Sequence, residues 1–265
     1  MIRLARSELL KLRTTRLWWG LLIGVLFTSA AFAGLIAGIA TTDAGEVENG
    51  RAFLGDPATA RAVYTAGLNF AYLFTLALGV IVMAGEYRHR TMSSTVLATP
   101  RRLRIVVAKL VALLLVGAGY GVAAIAASVL AGATVIAVRG ADVRLTSDGV
   151  PRALVLAILA VALWTIIGLG VGTLIRNQIL ALLLAVGIAW IAEPIVGLIL
   201  NAVGAGAVAR FLPTQATAAL VEPSTGVSEM TLHLLPWWGG ALTLLGYAVV
   251  SGALGTGLTL RRDVT

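Results

Sequence analysis

The chain has 265 residues, of which 59% are hydrophobic and 12% are charged, and its mean hydropathy is +0.96. A soluble domain averages about 25% charged residues, so this composition excludes a soluble protein and predicts an all-α protein that crosses a membrane several times. The formal net charge is +8. The basic residues cluster beside apolar runs, so they are best explained as setting the orientation in the membrane and contacting anionic lipid. We therefore expect no nucleic-acid partner. The absence of cysteine excludes disulfides and thiolate metal sites.

Residues 1–16 form a basic segment that precedes the first long apolar run. Its apolar residues recur at helical spacing on one face: Ile2, Ala5, Leu9 and Leu12. We expect an amphipathic helix that lies on the inner leaflet with this face down, and a disordered basic tail is the alternative. Residues 17–40 form the first predicted span. A cleaved signal peptide is a competing interpretation of this span, although the apolar run continues past the cleavage-like residues 31–33.

Five further apolar runs predict the other spans, at about 62–85, 110–138, 153–175, 179–200 and 238–260. Residues 201–237 are too apolar for a free loop and too interrupted by glycine and proline for a span, so short helices that re-enter the outer leaflet fit best. The proposed inner segments hold fourteen of the 20 lysine and arginine residues. This bias, together with an even number of spans, predicts that both termini are cytoplasmic.

Residues 86–109, between the second and third predicted spans, form the most basic internal loop. Thr91 suits a helix N-cap and Pro100 ends a helical stretch, so we predict a helix of about two turns over residues 91–99. It would expose three apolar side chains that suit a groove on a partner protein: Met92, Val96 and Leu97. An ordinary loop whose arginines only set the orientation is the alternative interpretation.

The loop resembles the cytoplasmic loop of ABC-2 type permeases, the membrane subunits of ATP-driven exporters. The residues that carry the resemblance are 86–91 (EYRHRT), 99–102 (TPRR) and 108–109 (AK), together with the opening 6–16 (RSELLKLRTTR) followed by Trp18 and Trp19. The resemblance covers the whole chain in layout, but only these segments in residues. It implies a single transmembrane domain over 1–265, in which six helices line half of a pathway through the plasma membrane.

The resemblance further implies that residues 91–99 are a coupling helix that docks on a separate ABC ATPase subunit. The residues expected at this interface are Glu86, Arg88, Arg90, Thr91, Thr95, Leu97, Pro100 and Arg101. A second permease copy or a paralogue would supply the other half of the pathway. We expect ATP and Mg²⁺ only on the ATPase subunit and no cofactor on this chain, because the sequence lacks the Gly-Lys-Ser/Thr phosphate-binding motif.

Other function classes lack their signals in this chain. The sequence has no His-Glu-x-x-His zinc motif and no Gly-x-Ser-x-Gly nucleophile elbow, so we expect no enzyme activity. An ion-coupled secondary transporter is the alternative function, but it requires an intramembrane ionisable relay and usually internal repeats. Four glycine pairs have small-xxx-small spacing and predict close packing within the chain: Gly20/Gly24, Gly34/Gly38, Gly117/Gly121 and Gly168/Gly172. A dimer seam along the first span is the alternative for its pairs.

Glu193 is the one acidic residue within a predicted span, about 22 Å beyond the inner turn at ~1.5 Å per residue. A charged carboxylate at a span's centre costs about 2.5–3.5 kcal/mol, so a partner is required. Trp190 could donate its indole N–H, and Pro194 could kink the helix. Two interpretations remain open. Glu193 either braces the outer segment, paired with Arg210, or lines the pathway as part of an outer gate with Trp190 and Asn201.

Overall fold

The computed structural model describes residues 2–40, 57–88, 102–147, 149–175, 177–221 and 234–261. Within these ranges 88% of the residues are helical and none forms a strand. Six stretches are long and apolar enough to cross a membrane, and we number them spans 1 to 6: Leu17–Ala40, Pro57–Glu86, Val106–Val138, Val150–Leu174, Gln178–Ala202 and Trp237–Leu254. The prediction of an all-α polytopic membrane protein with six spans is confirmed.

The described helices are α1 (Ile2–Thr14), α2 (Leu17–Ala40), α3 (Pro57–Thr65), α4 (Leu68–Arg88), α5 (Arg102–Val138), α6 (Val150–Leu174), α7 (Gln178–Gly187), α8 (Glu193–Ala202), α9 (Gly206–Ala209), α10 (Pro213–Val221) and α11 (Trp237–Arg261). A π-helical segment, Ile188–Ala192, joins α7 to α8. The largest extensions beyond the predicted spans are those of α3, which begins at Pro57, and of α5, which begins at Arg102. Hydropathy marks only the apolar part of a helix, whereas the helix itself continues through polar residues at its end.

Span 4 is the centre of the bundle and packs against spans 2, 3 and 6. Its middle residues are buried, and Trp164 is the largest of the fully buried side chains in the described part of the chain. Spans 2 and 4 cross at backbone contact: a Cβ on Gly79 would lie 2.1 Å from the Thr165 carbonyl oxygen, and one on Gly168 would lie 2.1 Å from the Leu76 carbonyl oxygen. The predicted packing role of Gly168 is therefore observed within the chain.

The outer spans pack less tightly. Span 1 lies mainly along span 3, and span 5 contacts span 2 and, less extensively, span 4. Among the described residues, a Cβ on Gly34 or Gly38 would meet no atom within 4 Å, so the structure shows no close side-chain packing at this predicted pair. Spans 1 and 5 expose many large apolar side chains, including Phe27 and Leu198. Surfaces of this kind are compatible with lipid tails.

Two ends of the bundle carry the polar features that bear on function. At the first end, α1 and the start of α5 meet the last turn of α4, and we call it the charged end. At the second end, α8 and α10 lie beside the start of span 6, and we call it the far end. Helices α9 and α10 fall within the region where short helices were predicted, and α10 packs against spans 4 and 6.

Candidate functional site

A cluster of four charged side chains joins three helices at the charged end. Helix α1 contributes Glu8 and Lys11, α4 contributes Glu86, and α5 contributes Lys109. The Lys109 ammonium donates to Glu8 Oε2 at 2.9 Å and also to Glu86 Oε1. Lys11 Nζ lies 2.6 Å from Glu8 Oε1 and 3.7 Å from Glu86 Oε1. We call these four residues the charge cluster.

Three members of the charge cluster are buried. Lys109 is 5% exposed, Glu8 is 7% exposed and Glu86 is 8% exposed. Removing such ions from water costs several kilocalories per mole each, so they persist only where opposite charges and hydrogen bonds compensate them. Two lysines and two glutamates make the cluster neutral as a whole, which provides the opposite charges. Among the described residues, Glu86 Oε2 is the one buried carboxylate oxygen of the cluster that has no hydrogen-bond partner.

The two lysines differ in what surrounds them. The Lys109 side chain is 6% exposed, whereas that of Lys11 is 47% exposed. Solvent screens the pairs of Lys11 but not those of Lys109. Burial raises the pKa of Glu8, but the attraction of Lys109 and Lys11 and their hydrogen bonds outweigh it, so the pKa of Glu8 lies below its usual 4.5. Glu8 therefore stays ionised near neutral pH.

Local sequence explains how these side chains reach one point. Glu8 and Lys11 are three residues apart on α1, so they share a helical face with Leu12, which packs against the core of the bundle. Small or buried apolar residues surround Lys109 on α5, namely Ala108, Ala112 and Leu113. Helix α1 packs against α5, and this contact brings Glu8 within hydrogen-bonding distance of Lys109.

At the far end, Glu193 is the buried carboxylate, with 6% of its surface exposed. Its Oε1 atom accepts hydrogen bonds from the Thr214 backbone N–H and, at 2.8 Å, from the Thr214 hydroxyl. Thr214 is the second residue of α10, so Glu193 satisfies one of the free N–H groups at that helix start. A carboxylate is favoured there, because the amino end of a helix carries partial positive charge.

The π-helical segment explains why Glu193 faces inward. The Glu193 N–H bonds the Ile188 carbonyl five residues back, and Pro194 has no N–H to continue the α-helical pattern. A wide turn of this kind shifts the register of the side chains that follow it. The buried residues of span 5 are spaced four apart before, within and after the segment: Ala181, Ala185, Ala189, Glu193 and Gly197.

Thr217, one turn after Thr214, continues the polar contacts toward span 4. The Trp164 indole N–H donates to the Thr217 hydroxyl at 2.9 Å. The Tyr72 ring of span 2 stacks on Trp164, with ring centroids 4.6 Å apart. Helix α10 is thereby bonded to the bundle centre on one side and to span 5 on the other.

The family is decided by comparison with a known protein family. The family model described as ABC-2 family transporter protein matches residues 2–264. The chain belongs to the ABC-2 transporter family. No curated protein matches the chain. The ABC-2 family assignment confirms the resemblance seen in the two sequence segments and makes the chain a multi-pass membrane component of an ABC transporter, without intrinsic catalytic activity.

The structure of this ABC-2 protein places two of the expected interface residues. Glu86 lies in the charge cluster, and Arg88 is exposed, with its Nη1 atom 3.4 Å from Gln178 Oε1 at the start of span 5. The other expected interface residues lie outside the described residues: Arg90, Thr91, Thr95, Leu97, Pro100 and Arg101. The partners of Glu86 are Lys109 and Lys11.

The three residues predicted for the outer gate of the ABC-2 chain lie in span 5 and differ in their surroundings: Trp190, Glu193 and Asn201. Trp190 is 55% exposed and contacts Phe70 edge-on, with ring centroids 6.2 Å apart. The hydrogen bond from its indole N–H to Glu193 that the sequence suggested is therefore not formed. Asn201 donates to the Gly197 carbonyl of its own helix at 2.8 Å. The sequence suggested Arg210, which follows span 5, as the partner of Glu193. Arg210 instead stacks over Phe211, with its guanidinium carbon 5.2 Å from the ring centroid, and the partner of Glu193 is Thr214.

Sequence reasoning missed that Glu8 and Lys11 belong to a buried cluster. A signal was present, since Lys11 and Lys109 are the only two lysines among 20 basic residues and both lie beside an apolar run. Thr214 gave no comparable signal. Among the described residues, no group of three or more histidine or acidic side chains is placed to hold a metal ion.

Proposed function

We propose that this ABC-2 protein is the permease subunit of an ATP-driven exporter and that its charged end faces the cytoplasm. Fourteen of the 20 basic residues fall in the segments that this orientation places inside, as the positive-inside rule requires. Both termini are then cytoplasmic, the membrane is the plasma membrane, and α1 lies at the inner surface. The far end, with α9 and α10, faces outward, where these short helices re-enter the outer leaflet.

The observation that carries the proposal is the charge cluster at the base of residues 89–101. Glu86 lies near the end of α4 before this segment, Lys109 lies about two turns into α5 after it, and their side chains are hydrogen-bonded. Glu8 ties α1 to the same point. The ends of spans 2 and 3 and helix α1 therefore form one unit, on which a force applied to the loop acts.

In the proposed mechanism a separate ABC ATPase subunit binds residues 91–99 and supplies that force. The ATPase binds ATP and Mg²⁺, and this chain holds no cofactor. Closure of two ATPase subunits displaces the loop, and the charge cluster transmits the displacement to spans 2 and 3. A second copy of the chain, or a paralogue, completes the pathway. Cargo then leaves at the far end.

Purification of the full-length chain together with an ABC ATPase tests the proposal. We expect the two subunits to co-purify, and we expect ATP hydrolysis to change when the permease is reconstituted with the ATPase in vesicles. A chain that transports cargo with no ATPase subunit, driven by an ion gradient, contradicts the proposal and supports a secondary transporter.

A substitution in the loop tests the coupling step. Leu97→Asp places a charge on the face that is proposed to dock, so we expect ATP hydrolysis without transport while the protein stays in the membrane. Ser94→Asp adds the same charge in the same segment without removing an apolar side chain and serves as the control. Transport that is unchanged in Leu97→Asp refutes the coupling role of residues 91–99.

A further inference from the structure

Helix α10 is held firmly on the side that faces spans 4 and 6. Ala216, Thr217 and Leu220 are buried, and Thr217 bonds Trp164 of span 4. A Cβ on Gly240 of span 6 would lie 2.5 Å from the Ala216 carbonyl oxygen, which shows backbone contact. These tight contacts attach α10 to the centre of the bundle.

On its other side α10 meets α8 through few groups. Glu193 and Gly197 are the buried residues of α8. A Cβ on Gly197 would lie 3.5 Å from a Leu212 methyl carbon and 4.0 Å from Gln215 Nε2, so this face looks at the start of α10. Four other large residues of α8 are exposed: Ile195, Val196, Leu198 and Ile199. Glu193 is thus the polar attachment of α8 to α10.

Helix α8 also lies between two interruptions of the chain. The π-helical segment Ile188–Ala192 precedes it, and wide turns of this kind frequently occur at functional sites in helices. Gly204 follows it with φ +78°, a left-handed conformation that glycine adopts without strain. An element bounded in this way can rotate as a unit without unfolding its neighbours.

We propose that Glu193 and Thr214 form a latch that holds α8 against α10, and that the π-helical segment is the hinge on which α8 swings outward. The proposal rests on the proposed function, in which cargo leaves at the far end. When the latch opens, the Thr214 N–H and the Glu193 carboxylate both lose their partner. Neither group is tolerated unpaired in hydrocarbon, so water must enter as α8 moves, and this is the condition for releasing a polar cargo.

Thiol labelling measures the latch without relying on transport. The chain has no cysteine, so Gly197→Cys introduces a single thiol at the α8–α10 contact. We expect slow reaction with a membrane-impermeant maleimide added from the far side. Thr214→Val combined with Gly197→Cys should raise the labelling rate roughly tenfold, as expected when a hydrogen bond to a charged group is lost. Glu193→Gln combined with Gly197→Cys keeps an acceptor oxygen and should raise the rate by a smaller factor.

A matched control separates a latch from general loosening. Thr217→Val makes the same substitution one turn further along α10, where the hydroxyl bonds Trp164 instead of span 5. It should lower the unfolding temperature and leave the labelling rate at position 197 unchanged. An unchanged rate in both Glu193→Gln and Thr214→Val, or an equal rise in Thr217→Val, overturns the latch.

Cross-linking tests whether the latch must open during transport. Gly197→Cys combined with Gln215→Cys allows a short reducible linker to join α8 to α10. We expect the linked protein to bind its ATPase normally, to lose ATP-dependent transport and to regain it on reduction. Full transport with the linker in place overturns the latch as a moving part. If the wild-type chain shows no ATP-dependent transport, the proposed function fails, while the labelling rates still decide whether the latch exists.

Discussion

The two ends of the bundle both bury carboxylates and compensate them in different ways. At the charged end, Glu8 and Glu86 are neutralised by Lys109 and Lys11 across three helices. At the far end, Glu193 accepts two hydrogen bonds from Thr214 at the start of α10. Removing one charge of a buried ion pair leaves the other charge uncompensated and strongly destabilises the protein. Hydrogen bonds to a carboxylate are largely kept when the carboxylate is replaced by a neutral group of the same shape. The difference indicates a rigid charged end and a releasable far end.

The largest effect is expected at Lys109. Lys109→Met removes the buried cation and leaves two buried carboxylates facing each other, so the free energy of unfolding should fall by about 3–5 kcal/mol. Thermal unfolding in detergent measures the loss. Lys11→Met is the matched control, because its side chain is half exposed, and it should cost less than about 1 kcal/mol. Equal losses in the two variants would show that burial does not distinguish them.

A substitution between the two ends supplies a reference that belongs to neither. Gly79→Ala places a methyl group against the Thr165 carbonyl, where a Cβ would lie 2.1 Å from the oxygen. Spans 2 and 4 must move apart, which should cost about 1–3 kcal/mol in the same unfolding assay. Gly246→Ala in span 6 meets no atom within 4 Å and should be neutral or slightly stabilising. A neutral Gly79→Ala would contradict the close crossing.

At the far end, two substitutions of Glu193 should distinguish the effect of its charge from the effect of its shape on stability. Glu193→Ala leaves the Thr214 N–H and hydroxyl without their partner and should destabilise the protein by about 1–3 kcal/mol. Glu193→Gln keeps an acceptor oxygen in place and should lose clearly less in the same unfolding assay. If the Gln variant loses as much stability as the Ala variant, the negative charge itself holds α10, and the contrast between the two ends disappears.

The smallest expected effect is the acid dependence of the charged end. Because the pKa of Glu8 in the folded protein lies below 4.5, its contribution to stability is complete above that pH and is lost as the pH falls further through the folded value. Unfolding temperatures measured from pH 7 to pH 3 should therefore decline at the acid end. Glu8→Gln should decline less steeply over the same interval. Identical profiles would exclude Glu8 as a contributor to acid lability.

Much of the fold was predictable from sequence, because membrane insertion is decided locally. Each span is an apolar run whose length must match the bilayer, so six spans could be read without knowing how they pack. Asn177 shows the same local logic at the start of α7, where its side chain accepts from the Ile179 and Leu180 N–H groups. Span 5 was less predictable. Trp190 lies within the π-helical segment Ile188–Ala192 and faces away from Glu193, whereas periodicity alone assumes an uninterrupted α-helix.

The sequence by itself determined that this chain is an all-α membrane protein of the ABC-2 type, with a basic loop between spans 2 and 3. Hydropathy, charge bias and the motif around Glu86 are properties of neighbouring residues, so they need no three-dimensional information. Only the tertiary structure decided that Lys109 meets Glu8, which is 101 residues away, and that Glu193 meets Thr214, which is 21 residues away. A buried charge requires some partner, but helix packing selects which one, because partners must lie within a few ångströms after the helices have associated.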